Sequence, residues 1–424
     1  QSVTNFLASS LPTLPGLPRV NPDTNNNFAI QATVIKSDWL QSLLRIPVTL
    51  QEPLTLQGSV NDHTRLITLE CDIPRFKYKD DGYGMGHVSI SSPEDTLRYD
   101  LRITKFDEEA EPLNLHAFGK AADNNLHASL VWDNNQDVAA MKGQLNVIAN
   151  FTTSLDNKQT ANINVLPSVI NIHNSDWTIQ PAFITYSKNY LNIKDFGIRH
   201  NQQHILINGT ASESATDSLY ADIIDMDVAY ILQLVDFDAV DFDGYASGTG
   251  ILHGVFGDFQ AGARLSVTDF EFQHGRMGTL YAEVDWNKDE KQIDIHAIAD
   301  DGEEAKTYID GYVSPERNFI DLGIRADGTY LDFARSFTES FISTIDGHGN
   351  GAVRLIGPLD AINLTGELVL NGTAHVKTLG CTYEMRNDTL RMVPNEIVFA
   401  HCPIYDIHGN EGMMTGGIHH QELT

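Results

Sequence analysis

Basic residues are scarce in this chain. Across 424 residues, 28 Lys and Arg stand against 57 Asp and Glu, a formal charge of −29. Nucleic acid is held mainly by clustered Lys and Arg that displace counterions, so no nucleic-acid partner is expected. A polybasic membrane-surface protein is disfavoured on the same ground. Cysteine is scarcer still: Cys71, Cys381 and Cys402 are too few and too widely spaced for a disulfide framework or a zinc ribbon. Cys381 and Cys402 keep two options, a bond across neighbouring strands or simple packing. Long apolar runs are missing as well. Ala229 to Val235, the longest, is broken by Gln233, far short of the roughly 18 residues a spanning helix needs. No signal peptide is visible and the chain opens on Gln1 rather than Met. It reads as a segment of something longer, which leaves the parent's targeting open.

Catalytic signatures are equally hard to find. There is no Gly-x-Ser-x-Gly, no His-Glu-x-x-His and no paired Cys–His context. The glycines Gly244, Gly248 and Gly250 resemble a phosphate loop only superficially, because no Lys-Ser/Thr follows. Asp225, Asp227, Asp236, Asp238, Asp241 and Asp243 crowd around Gly244, but the alternate spacing and closing Glu of a calcium loop are absent. A solvated strand face and turn is the reading taken, with calcium as the alternative. His200, His204, His401, His408, His419 and His420 are scattered. No enzyme, cofactor or resident metal is expected.

What the chain does have is alternation. The apolar fraction is 42% and aromatics are 9%, too rich for disorder. Ile67, Leu69, Cys71 and Ile73 alternate with Thr68, Glu70 and Asp72; Leu97, Tyr99, Leu101 and Ile103 alternate with Arg98, Asp100, Arg102 and Thr104. The pattern recurs at Leu113/Leu115, Ile205/Ile207, Ile293/Ile295, Ile320/Leu322/Ile324, Val353/Leu355 and Leu368/Leu370. Period two puts one set of side chains on each face, so these are strands with one dry and one wet side. Asn61-Asp62, Asp80-Asp81-Gly82, Asn134-Asn135 and Asp300-Asp301-Gly302 mark the turns. Helical spacing is confined to three places: Ser37 to Leu44, Val228 to Val235 and Tyr330 to Phe341.

An internal repeat organises the second half. Asp243-Gly244, Gly248, Ile251-Leu252 and Gly254 match Asp346-Gly347, Gly351, Arg354-Leu355 and Gly357 at one offset. Ile207-Asn208-Gly209 matches Ile309-Asp310-Gly311 upstream. The unit far exceeds the roughly 20–50 residues of solenoid coils. Glycines at recurring strand positions permit bends without a Cβ clash, and repeated bends curl a sheet. The expected fold is therefore all-β: an elongated, curled, repetitive sheet with a greasy inside and a few short helices. The segments expected are a Pro-rich linker or extended lead-in over 1–26, the first part of the groove over 27–204, a groove repeat over 205–310, and a second repeat over 311–424. A closed core, as in a sandwich or β-helix, is the alternative packing of the same faces.

The order of these marks resembles a known family. Leu-x-Ile-x-Gly strands, a short helix, Gly-x-x-x-Gly and the step Gly357-Pro358-Leu359 are similar to the translocation and assembly module family, TamB, among the AsmA-like proteins. Leu370-Asn371-Gly372, Thr382-Tyr383, Asn387 to Leu390, Asn395 to Phe399, Ile404 to Asn410 and Gly416 to His420 carry the resemblance furthest. It implies a β-taco, the bridge-like lipid-transfer architecture, in which a curled sheet holds an apolar groove. It also implies a periplasmic protein anchored in the inner membrane by a helix absent here, and an outer-membrane barrel partner of the Omp85 type met through an absent C-terminal region. Its cargo would be phospholipid acyl chains passing between membranes, with a role in outer-membrane protein assembly. The candidate groove lining is Leu101, Ile103, Ile205, Ile207, Ile293, Ile295, Leu322, Ile324, Val353, Leu355, Leu368 and Leu370. The competing reading is a secreted β-solenoid adhesin or carbohydrate-binding protein, for which Trp39, Trp132, Trp177 and Trp286 are too dispersed to make an evident platform.

Overall fold

The period-two segments fold as strands that pair antiparallel with their neighbours. A computed structural model describes residues 2–14, 25–37, 47–78, 81–106, 112–137, 140–153, 158–172, 174–234, 241–302 and 305–419. Among these, 28 strands accompany only short helices: α1 (Ser2–Ser10), α2 (Val228–Leu234) and α3 (Ala334–Thr338). The protein is all-β. α2 and α3 fall within two of the three expected helical segments. The third, at Ser37 to Leu44, lies almost wholly outside the described residues. The extended lead-in expected over 1–26 is corrected at its start, where α1 forms; residues 15–24 lie outside the described residues.

The chain divides into two units, one holding residues 1–201 and 206–213 and the other 202–205 and 214–424. The division falls within strand Gln203–Ser212. Position 310 lies inside strand Lys306–Ser314.

In the first unit, Asn27–Val34 pairs with Leu54–Asn61. The ladder continues through Leu66–Ile73, Asp81–Ser91, Leu97–Phe106, Leu113–Ala122 and Asn125–Asp133 to Met141–Thr153. Several of its strands come in collinear halves. Gln159–Val165 and Ser168–Ile172 share Met141–Thr153 as neighbour, and Ser175–Ile179 and Ala182–Ser187 share Tyr190–His200. Leu66–Ile73 and Phe76–Tyr78 likewise share Asp81–Ser91. The breaks fall at Pro167, Pro181 and Pro74. Proline has no N–H for the ladder, so a strand cannot run through it unbroken.

The second unit is a meander in which each strand pairs with the next, from Ser218–Asp227 to Glu411–His419. Its longest strand, Ile342–Pro358, has 17 residues. The repeat seen in the sequence has a counterpart here. Ser218–Asp227 leads through α2 into Phe242–His253, and Phe319–Tyr330 leads through α3 into Ile342–Pro358. The matched Gly248 and Gly351 have φ of +156° and +149°. A Cβ on either would collide with the carbonyl oxygen across the ladder, that of Arg264 or Glu367. Only glycine lets the strands approach so closely at that bend.

The core of each unit lies on its apolar face. In the first, Phe6 and Leu11 of the α1 segment pack with Val60, Ile67, Leu97, Ala121, Ala149, Phe151 and Ala161. Two hydrogen bonds to Asn124 Oδ1, from Thr13 N at 3.0 Å and Thr13 Oγ1 at 2.9 Å, pin the chain just after the helix. In the second unit, Ala246, Val267, Phe270, Met277 and Ala299 cluster near α2, whose Val228 joins them. Ile320, Leu355 and Ile362 form another cluster, where the turn after Pro358 folds in.

Candidate functional site

Antiparallel register decides which side chains share a face, because directly opposed residues point the same way. In the second unit three apolar rows cross the sheet side by side. One runs Trp286, Ile293, Val313, Ile320. The next passes through Ala263, Val284, Ile295, Gly311, Leu322, Leu355 and Leu364. The third passes through Leu265, Ala282, Ala297, Ile309, Ile324, Val353, Gly366, Met392 and Ile397. Beyond it Val267, Leu280, Ala299, Ala326 and Leu368 continue the same face toward the helices.

Eight of the nine candidates from this unit therefore lie on one face: Ile293, Ile295, Leu322, Ile324, Val353, Leu355, Leu368 and Leu370. They are not equally covered. Leu355 and Leu368 are buried, while Ile324, Leu322, Val353, Ile295 and Leu370 keep part of their surface open. The turn holding Ile362 packs at one rim, and α3 stands at the other. There Phe333 contacts Phe272 at 5.7 Å between ring centroids, and Ser336 Oγ donates to Gln273 O at 2.6 Å. The face has packed rims and a partly open floor.

The first unit has the same construction. Leu101, Ala117, Leu130 and Leu145 form one row, and Ile103, Leu115, Trp132, Gly143, Ile170 and Trp177 the next. Leu101 and Leu130 stay 37% and 38% exposed, and at the sheet edge Phe28 and Ile30 are near half. Between the α1 segment and the sheet lies a cavity of about 490 Å³. Its walls include Phe6, Leu7, Ile30, Leu69, Ile90 and Leu101. That volume falls within the roughly 300–1,000 Å³ of small-molecule sites. Ile205 and Ile207 are half-buried on strand Gln203–Ser212, where the chain passes from one unit to the other.

The opposite faces are polar and laced with ion pairs. Arg264 donates to Glu283 at 2.7 Å, Arg391 lies 2.8 Å from Glu367, and Arg354 binds Asp321 through two nitrogens. His87 and His296 sit against Asp72 and Asp310 at 2.8 and 2.9 Å. Those hydrogen bonds, aided by the nearby carboxylate charge, raise both imidazoles above the ordinary histidine value. The apolar face carries none of these pairs, as the cost of burying an unpaired charge requires.

Three further sequence features find their places. Asp243, Glu271 and His274 offer ligand atoms that all lie within 4.8 Å of one another, beside the register shift at Gly244 in strand Phe242–His253. His274 Nε2 also stands 3.7 Å from Asp241 Oδ2. All three cysteines are free; Cys402 is buried and Cys381 exposed. Burial pushes the Cys402 thiol up, and the charge of Asp388 adds to it. Of the tryptophans, Trp132, Trp177 and Trp286 belong to apolar rows, and Trp39 lies outside the described residues. Sequence reading missed much of the floor, including Leu265, Ala282, Ala297 and Ile309. Glycine and alanine dilute the alternation there, and only cross-strand register reveals the row.

No helix among the described residues is long and apolar enough to cross a membrane. No family model, curated protein or solved structure matches this chain.

Proposed function

We propose that the chain is a non-enzymatic carrier of acyl chains, a segment of a TamB-like, AsmA-like protein of the bacterial periplasm. The observation behind this reading is the continuity of apolar rows across each unit, with side chains such as Leu101, Leu130 and Ile324 left partly open on the apolar face. A closed core would bury them. Transfer of about 0.8 kcal/mol per CH₂ gives a 16-carbon tail roughly 12 kcal/mol on entering such a trough. Headgroups stay at the rim, because an unpaired charge on the floor costs several kcal/mol. On this reading phospholipids pass between inner and outer membranes, with a barrel of the Omp85 type as partner and a role in outer-membrane protein assembly.

Mass spectrometry of an organic extract of the purified protein tests it. Phospholipid at near-stoichiometric yield is the expected result, with loss of loading in Ile324→Asp. Absence of lipid, or unchanged photo-crosslinking to lipid in a folded Ile324→Asp variant, overturns it. The carbohydrate-binding reading has one observation in its favour. Tyr281, Ile298 and Tyr308 form a row on the polar face, and Tyr281 is 57% exposed. Glycan-array binding lost in Tyr281→Ala, from protein that carries no lipid, would favour that reading.

A further inference from the structure

The polar face of the first unit holds an arrangement that the trough does not explain. Arg98, Lys120 and His127 occupy directly opposed positions on three adjacent strands. Like charges at such positions repel, since their Cβ atoms stand roughly 5 Å apart. Several other cations of this strongly acidic chain find carboxylates, as Arg102, Lys105, Arg264, Lys288 and Arg391 do. Arg98, Lys120 and His127 have no such partner among the described residues.

The donors continue on both sides of this row. Ser91 is opposite Arg98 on the next strand, and its hydroxyl has no protein partner among the described residues. Asn146 accepts from Ser129 Oγ at 2.7 Å and from Gln144 Nε2 at 2.9 Å through Oδ1, which leaves its NH₂ uncommitted. These groups line one depression of about 680 Å³. The carboxylate in its wall, Asp100, is already engaged by Arg102 Nε at 3.0 Å and His116 Nε2 at 2.9 Å. Glu70, one strand further, is taken by His87 at 3.0 Å and Ser89 at 2.7 Å. The depression thus offers donors and positive charge with its neighbouring acids spent.

We infer that this depression is a binding site for a phosphate-type oxyanion, held by Arg98 and Lys120 with Ser91, His127 and Asn146 as further donors. An oxyanion supplies the acceptors that these groups lack and relieves the repulsion between the opposed cations; charge-assisted hydrogen bonds of this kind are the strong ones. The anion comes either as a free phosphate ester or as the headgroup of a membrane lipid. The inference is independent of the trough, which lies on the other face of the sheet.

Two probes separate the sources. Inorganic pyrophosphate is titrated calorimetrically into the full chain, and phosphatidylcholine vesicles with and without phosphatidylglycerol are tested by flotation. The reference is Arg98→Glu/Lys120→Glu, with Lys142→Glu/Lys194→Glu as a charge-matched control on exposed positions and circular dichroism to show that both fold. Pyrophosphate binding that weakens about tenfold or more in the first variant and not in the control supports a free phosphate ester. Flotation specific to phosphatidylglycerol with the same variant pattern, and retained in Ile324→Asp, supports a headgroup. No binding of either probe, or equal losses in both variants, overturns the site.

Discussion

In the first unit, prolines cut the strands into collinear halves at Pro74, Pro167 and Pro181, and a helix lies over the apolar face. In the second, strands run up to 17 residues and the helices stand at the rim. The two units still present the same pair of faces, one apolar and one ion-paired. Strand continuity is therefore not what makes an apolar face; register is. Each break keeps the halves facing one common neighbour, so alternation survives the proline. What the breaks change is the filling. The first unit needs Phe6 of α1 and Leu11 just after it to cover a face that the second covers with its own Ile362, Phe270 and Met277.

This contrast can be broken from either side. Leu355→Asp buries an unpaired carboxylate in the packed rim of the second unit and is expected to cost about 4 kcal/mol or prevent folding. Ile324→Asp on the open floor is expected to cost about half as much, because the carboxylate can keep water. Chemical denaturation compares the two; equal losses would mean that floor and rim are packed alike. Phe6→Ala removes the main filler of the first unit, with an expected cost of about 3 kcal/mol. Faster proteolysis at Leu11 to Leu14, with hydrogen exchange in the second unit unchanged, would show that α1 serves only its own sheet.

A smaller effect is expected from Gly351→Ala, about 1–3 kcal/mol, since alanine must either leave φ of +149° or push the Glu367 carbonyl away. Thermal unfolding measures it, and a neutral result would remove the close approach from the account of the bend. The smallest is electrostatic. Asp310 raises the His296 pKa in the folded state. The stability this pair adds is fully present below the ordinary histidine pKa and is lost as pH rises through the raised one. Both groups are exposed, so the contribution is a few tenths of a kcal/mol at most. An NMR titration should place His296 above an ordinary histidine, and Asp310→Asn should bring it back down.

Much of the fold was legible because alternation is a local signal. Leu97 to Ile103 announces a strand without reference to any other part of the chain, and so does Ile320 to Ile324. α1 was not legible. Its apolar residues Phe6 and Leu7, with Leu11 just after, precede prolines that argue for extension, and the helix forms where the sheet offers Val60, Ile67 and Leu97 to bury them. The candidate lining was half legible. Leu322, Ile324, Val353 and Leu355 stood out, but Gly311 and Ala297, which complete the rows between them, carry no apolar signal of their own. The basic row at Arg98, Lys120 and His127 was invisible, since its members are separated in sequence and become neighbours only by pairing.

The amino-acid order alone determined that the chain would be built of two-faced strands, because side chains alternate about the backbone whatever the partner. It also determined where those strands bend or stop, because glycine and proline act through their own φ and N–H. Which apolar side chains align into one row, which strand a helix covers and which cations meet were decided only by tertiary structure. These are properties of register between distant segments, and register is set by the joint burial of side chains that no single segment contains.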